Sequence, residues 1–199
     1  MLISFFKILI QGLGGVKITS TEKFDMVVML KGKGNEDLDI ESLEIDEIEN
    51  ALKNISSEVY IKESECINVI LVELGTDSVE VARKLRESPT KIISMVVPIN
   101  TVVKTNIESI LSKVKELSVE RINKDETFFV RCVVMNENRL TSFDIENTVI
   151  EELNKLELEY NEESPQWNIY VEIIGKNTGI SVLKSSDFTE DINNHLLCI

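Results

Sequence analysis

The chain has 199 residues, of which 43% are hydrophobic and 28% charged, a balance that allows a buried core and argues against disorder beyond the ends. Its net charge is −14, divided as 11 basic against 17 acidic residues in 1–100 and 10 against 18 in 101–199, so neither half is a basic domain. Affinity for nucleic acid would therefore need a local cationic patch, because phosphate neutralisation dominates such binding.

Residues 1–10 are apolar, but a membrane helix needs about 20 such residues, which excludes a spanning segment. Gly12 to Gly15 only weakly imitate a signal-peptide cleavage region, and Val16-Lys17-Ile18 is an alternative natural start. Residues 24–31 form an apolar run of strand length, followed by the loop signals Gly32, Gly34 and Asn35. Ile45, Ile48, Leu52 and Ile55 then recur at helical spacing, with Asp46, Glu47, Glu49 and Lys53 opposite. Val59-Tyr60-Ile61 and residues 67–73 read as a hairpin. Asp77 and Glu80 have the spacing of a reciprocal capping box, with Pro89 just past the helix they open. Residues 91–97 return as a strand. The order strand, helix, strand, strand, helix, strand is the ferredoxin-like arrangement, and it predicts a domain over 24–98.

Beyond Pro98, Thr105 and Glu108 form another capping-box pattern, opening a helix that turns Ile107, Ile110, Leu111, Val114 and Leu117 inward. Asn123-Lys124-Asp125 ends it, and residues 126–135 are a strand. Ser142 or Thr141 caps the next helix, whose buried stripe is Ile145, Val149, Leu153 and Leu156. After Pro165, Trp167, Ile169, Val171 and Ile173 alternate with Asn168, Tyr170 and Glu172, the pattern of a half-buried strand. Residues 175–179 read as the turn of a hairpin to 180–183. Those after Ser186 read as a short acidic tail or fraying helix.

Cys66, Cys132 and Cys198 match no metal or redox spacing and fit reduced thiols inside a cell, Cys132 being a buried apolar one. His195 is the only histidine, which argues against a metal cluster or a histidine-based triad. Glu36-Asp37-Asp39 and Glu162-Glu163 read as solvated faces. Gly12-Leu13-Gly14-Gly15 lacks the Lys-Ser/Thr continuation of a phosphate loop.

One stretch carries more text than the rest: Thr127-Phe128-Phe129-Val130-Arg131-Cys132, then Arg139-Leu140-Thr141-Ser142, then Ser164 to Gly175 around Trp167-Asn168-Ile169-Tyr170-Val171, then Thr178-Gly179-Ile180-Ser181-Val182-Leu183. It resembles a THUMP domain. Together with Val97-Pro98-Ile99-Asn100-Thr101-Val102-Val103-Lys104-Thr105, it is similar to the archaeal THUMP proteins grouped with the tRNA-acetylation adaptor of N4-acetylcytidine synthesis. The resemblance implies an α+β protein, with the ferredoxin-like domain followed by a THUMP-like α/β domain over 99–188. An N-terminal extension at 1–23 and an acidic tail at 189–199 would flank them. It also implies a cytoplasmic, non-catalytic adaptor without cofactor or metal, with tRNA as ligand and a separate tRNA acetyltransferase as partner.

Where the family's first THUMP strand runs on into Lys and Arg, this chain has Val133-Val134-Met135-Asn136, leaving Arg131 and Arg139 nearby. The RNA-binding candidates are Arg131, Arg139, Lys176, Asn177 and Lys184, expected to make one cationic ledge around two arginines and the lysine-bearing turn. A surface ion pair is the other reading of Arg131. Trp167 belongs to the core by phase, whereas Tyr170, on the opposite face, stays open as a stacking residue. The competing class is a THUMP scaffold kept as a protein-interaction module after loss of RNA.

Overall fold

The computed structural model describes residues 23–31, 38–64, 66–135 and 140–188. The start-site alternative at Val16 and the tail at 189–199 lie outside them. The first unit contains β1 (Met26–Leu30), α1 (Leu38–Ile55), β2 (Val59–Glu63), β3 (Val69–Leu74), α2 (Ser78–Arg86) and β4 (Ile93–Pro98). Its sheet has the order β2-β3-β1-β4, with every neighbouring pair antiparallel. Met26, Val27 and Val28 are all 0% exposed, which requires cover on both faces of β1 and explains its unbroken apolar run.

The second unit follows two residues later with β5 (Thr101–Lys104), α3 (Ile107–Arg121), β6 (Thr127–Val134), α4 (Ser142–Asn154), β7 (Glu159–Tyr160), β8 (Trp167–Ile174) and β9 (Asn177–Lys184). The strands lie in the order β5-β9-β8-β6-β7, with β6 parallel to β7 and β8, and β9 antiparallel to both β5 and β8. The whole is a mixed α/β structure of two sheets and four helices among the described residues. None of those helices is long and apolar enough to cross a membrane.

Alternation along the strands divides the second sheet's side chains between two cores. Phe128, Val130, Cys132, Ile169, Val171, Ile173, Ile180 and Val182 pack beneath Ile110, Val114 and Leu117 of α3 and Ile145, Val149 and Leu153 of α4. From the other face, Tyr170, Ile174 and Leu183 join the core of the first unit, next to Val97 and Ile99. The half-buried pattern expected of β8 is therefore corrected. Asn168, Tyr170 and Glu172 are 8%, 3% and 0% exposed, because the first sheet covers the face that the alternation assigned to water.

The crossover between the sheets is stitched to β9. Asn100 Oδ1 accepts hydrogen bonds from Arg121 Nη1 (2.6 Å) and the Val182 N–H (2.9 Å), and Arg121 also donates to the Val182 carbonyl (2.8 Å). The Ser181 hydroxyl donates to the Pro98 carbonyl. A Cβ on Gly179 would stand 2.9 Å from Ile99 and 3.0 Å from Phe24, so this glycine permits close approach of the two units. It does not belong to the hairpin turn, which is shorter than expected. Gly175, at φ 59°, and Lys176 close it alone, glycine supplying the left-handed residue that a two-residue loop needs.

Helix starts follow local chemistry with two adjustments. Asp77 caps α2 by accepting from the Glu80 N–H (2.8 Å), but Glu80 turns to Lys84 (2.6 Å) and does not complete the box. Thr105 is not a cap: its N–H bonds to the Lys176 carbonyl and its hydroxyl to Thr178, which holds it to the sheet. Asn106 caps α3, accepting from the Ser109 N–H at 2.8 Å. Thr141 caps α4.

Across the two helices, Glu152 takes Lys115 at 2.6 Å and also Lys155, and these hydrogen bonds hold its carboxyl at about 2, well below the ordinary 4.5. A depressed carboxylate stabilises the fold above its unfolded pKa and loses that contribution as pH falls towards the folded value. Glu152→Gln is therefore expected to flatten the acid limb between about pH 4.5 and pH 2, read as unfolding midpoints against pH; identical limbs would refute this.

Candidate nucleic-acid interface

Among the described residues the expected ledge does not assemble as one surface. Arg131 stands on β6 opposite Tyr170, is half-buried, and brings Nη2 to 3.5 Å from Met95 Sδ of the first unit. Val133 is opposite Glu172, which makes Glu172 a diagonal neighbour of Arg131 on the same face. Arg131 therefore sits in the seam between the sheets. Arg139 lies outside the described residues. Lys176 is exposed in the β8–β9 turn, but Asn177 beside it is 6% exposed. Lys184 is at the far end of β9, roughly 26 Å away at strand spacing, with its Nζ 5.3 Å from the Trp167 ring centroid. Trp167 is buried, as its phase required. Tyr170 is not open, because its ring packs edge-on against Phe188, 6.1 Å between centroids.

Phe188 belongs to the segment expected to fray, yet it is 2% exposed and has the Arg86 guanidinium 5.1 Å from its ring. It ties the end of the second unit to α2 of the first.

A different pair of cations meets at the carboxyl ends of β5 and β8. Lys104 lies opposite Asn177, and the Thr105 N–H bonds to the Lys176 carbonyl (3.0 Å), so Lys104 and Lys176 are neighbours on this rim. Both are exposed, and neither meets a carboxylate among the described residues. Lys113, Lys115, Lys124 and Lys155 of the same unit are each held by a glutamate. An open groove of about 490 Å³ runs from Lys104 along α3, lined by Val103, Glu108, Ser109, Ser112 and Lys113. The N-terminus of α3 points its positive end towards this rim, and Glu108 is the acidic group in the groove. Sequence reading missed Lys104, whose only local signal was its place just ahead of a capped helix, and nothing local showed that the β8–β9 turn would meet it.

Chemistry elsewhere in the domain is structural. Glu146 accepts the Cys132 N–H at 2.7 Å, replacing a strand partner where β7 stops. Burial pushes the Glu146 carboxyl up, against the Cys132 N–H and the charge of Arg131. The Cys132 thiol is pushed far above its usual range, first by burial and then by Glu172 and Glu146, which makes it inert as a nucleophile at neutral pH. Among the described residues no cluster of His, Cys, Asp and Glu is arranged to hold a metal ion.

The THUMP-domain family model matches residues 104–183, from the end of β5 to the penultimate residue of β9. The second unit thus carries a THUMP domain. Among solved structures, PH1313 from Pyrococcus horikoshii Ot3 is similar at a TM-score of 0.61 and 20% identity, over 81% of this chain and 54% of that one. A 4-thiouridine synthetase, crystallised in an RNA complex with bound ATP, is similar at 0.55 and 15%, over 81% and 41%. A possible methylase from Clostridium difficile 630 follows at 0.51 and 13%, over 80% and 41%. At these identities the likeness is one of fold. Its 81% coverage exceeds the matched segment and takes in the first unit too. The chain spans about half the length of PH1313 and less of the other two. No curated protein sequence matches the chain.

Proposed function

We propose that this protein binds tRNA through its THUMP domain and serves as a non-catalytic adaptor, presenting tRNA to a separate modifying enzyme. The observation that carries the reading is the THUMP match over 104–183, whose first residue, Lys104, shares the rim with Lys176, both exposed and neither meeting a carboxylate among the described residues. The 4-thiouridine synthetase of similar fold, crystallised with RNA, supports the association of this architecture with RNA modification. The strand order β2-β3-β1-β4 supports a ferredoxin-like unit preceding the THUMP domain. Similarity of 97–105 and 127–184 to the acetylation-adaptor proteins favours an N4-acetylcytidine acetyltransferase as the enzyme served.

Filter binding of bulk tRNA at two salt concentrations tests this. Affinity should weaken with salt, log K falling by about 0.7 to 0.9 per neutralised phosphate for each tenfold rise. Lys104→Glu with Lys176→Glu should lower affinity at least tenfold and make the salt slope shallower by about two phosphates. The second reading, an interaction module for a basic protein, is favoured by the net charge of −14. Absent or salt-insensitive binding by the unmodified protein would select it.

A further inference from the structure

We infer that the open side of β2 is a docking edge, which takes an extended lysine- or arginine-bearing segment of a protein partner as an added strand; this deepens the adaptor reading above and rests on it. β2 is the outermost strand of the first sheet, and among the described residues only β3 pairs with it. The Gly75 N–H bonds to the Glu58 carbonyl (3.0 Å), which sets the phase of that ladder. Tyr60 and Lys62 therefore turn their backbone groups to β3, and Val59 and Ile61 turn theirs outward. No described group takes those outward N–H and C=O groups.

An open edge is a template for pairing, and proteins ordinarily blunt it with a short strand, a proline, an outward lysine, a bulge or a cover. The other edges here are blunted. β7 is two residues long, and beyond it Glu146 takes the Cys132 N–H of β6. β4 is buried from Met95 onward and ends in Pro98, and β5 has four residues and ends in the exposed Lys104. Among the described residues β2 has no such device. Its pairing runs without a bulge and it holds no proline. Its lysine is turned away, for Lys62 is 9% exposed, with Nζ held by the Glu73 carboxylate (2.6 Å) and the Lys23 carbonyl (2.7 Å). Tyr60 beside it is 64% exposed, and Ile67, in the β2–β3 connection, is 86% exposed. Charge selects the occupant. Residues 24–98 hold 16 acidic against 8 basic side chains, and the exposed Glu58 stands immediately before the strand. A basic segment is attracted to this edge, whereas a second copy of the chain would bring like charge against it.

The test uses the full chain and a short labelled peptide of alternating lysine and valine, followed by fluorescence anisotropy, beside its fully backbone-N-methylated form and a glutamate–valine counterpart. The lysine peptide should bind, and bind less tightly as salt rises. The other two should be at least about tenfold weaker, one having lost its backbone donors and the other its charge complementarity. Ile61→Pro removes one outward N–H and no ladder bond to β3, so it should weaken the lysine peptide at least about fivefold and leave tRNA affinity unchanged. If that variant does not fold, the methylated peptide still removes the same bonds from the other side. Equal affinity for the methylated or the glutamate peptide would overturn the docking edge. So would a dimer of the unmodified protein in sedimentation that Ile61→Pro abolishes, because a second copy would then be the occupant. Salt-dependent tRNA binding without binding of the lysine peptide sinks the docking edge and leaves the adaptor's RNA reading intact; peptide binding without tRNA binding does the reverse.

Discussion

Phe188→Ala is expected to destabilise the protein by about 3 to 5 kcal/mol, the usual cost of emptying a fully buried aromatic site. The ring is 2% exposed, meets Tyr170 edge-on, lies under the Arg86 guanidinium and belongs to the core of the first unit. Truncation would open a cavity between α2 and β8 and remove both ring interactions. Phe188→Leu should cost less, since it refills most of the volume without the ring electrostatics. Urea unfolding at neutral pH measures both. A loss below about 1 kcal/mol for the alanine variant would mean that the site collapses freely and that Phe188 does not hold the units together.

Arg131→Glu is expected to cost about 3 kcal/mol or more, and to act on stability before it acts on RNA. The substitution places a carboxylate in the seam, diagonal to Glu172, which is 0% exposed, and near Glu146, whose charge Arg131 favours. Reversing a charge there leaves buried like charges without compensation. The double variant at Lys104 and Lys176 changes only exposed side chains, so its unfolding midpoint should stay close to that of the unmodified protein. The contrast is read by running urea unfolding and tRNA binding on both variants. Arg131→Glu with a normal midpoint and abolished RNA binding would put this arginine on the RNA surface and contradict its place in the seam.

The elements themselves were legible because each depends on near neighbours. A 3.6-residue period marked α1, α3 and α4, and short polar side chains marked the caps of α2 and α4. Where the cap was misplaced, at Thr105, the reason was distant: Thr178 and Lys176 claimed the backbone and hydroxyl that the local pattern had assigned to α3. The candidate site was less legible. Lys176 and Lys184 are eight positions apart on one hairpin arm, and in an extended strand such a gap becomes a separation that no charge count reveals. Lys104 and Lys176 are 72 positions apart and become neighbours through the pairing of β5 with β9.

Local order in the chain was enough to specify the helices, the strands other than β5 and β7, and the THUMP text over 127–184, since alternation, helical period and turn residues act over a few positions. Pairing of elements remote in sequence decided the rest. Covering the second sheet on both faces buried Tyr170 and Glu172, drew Arg131 into the seam and made Phe188 part of a core. The same alternation serves a sheet with one wet face and a sheet between two layers, and only the packing of the first unit against the second distinguishes them.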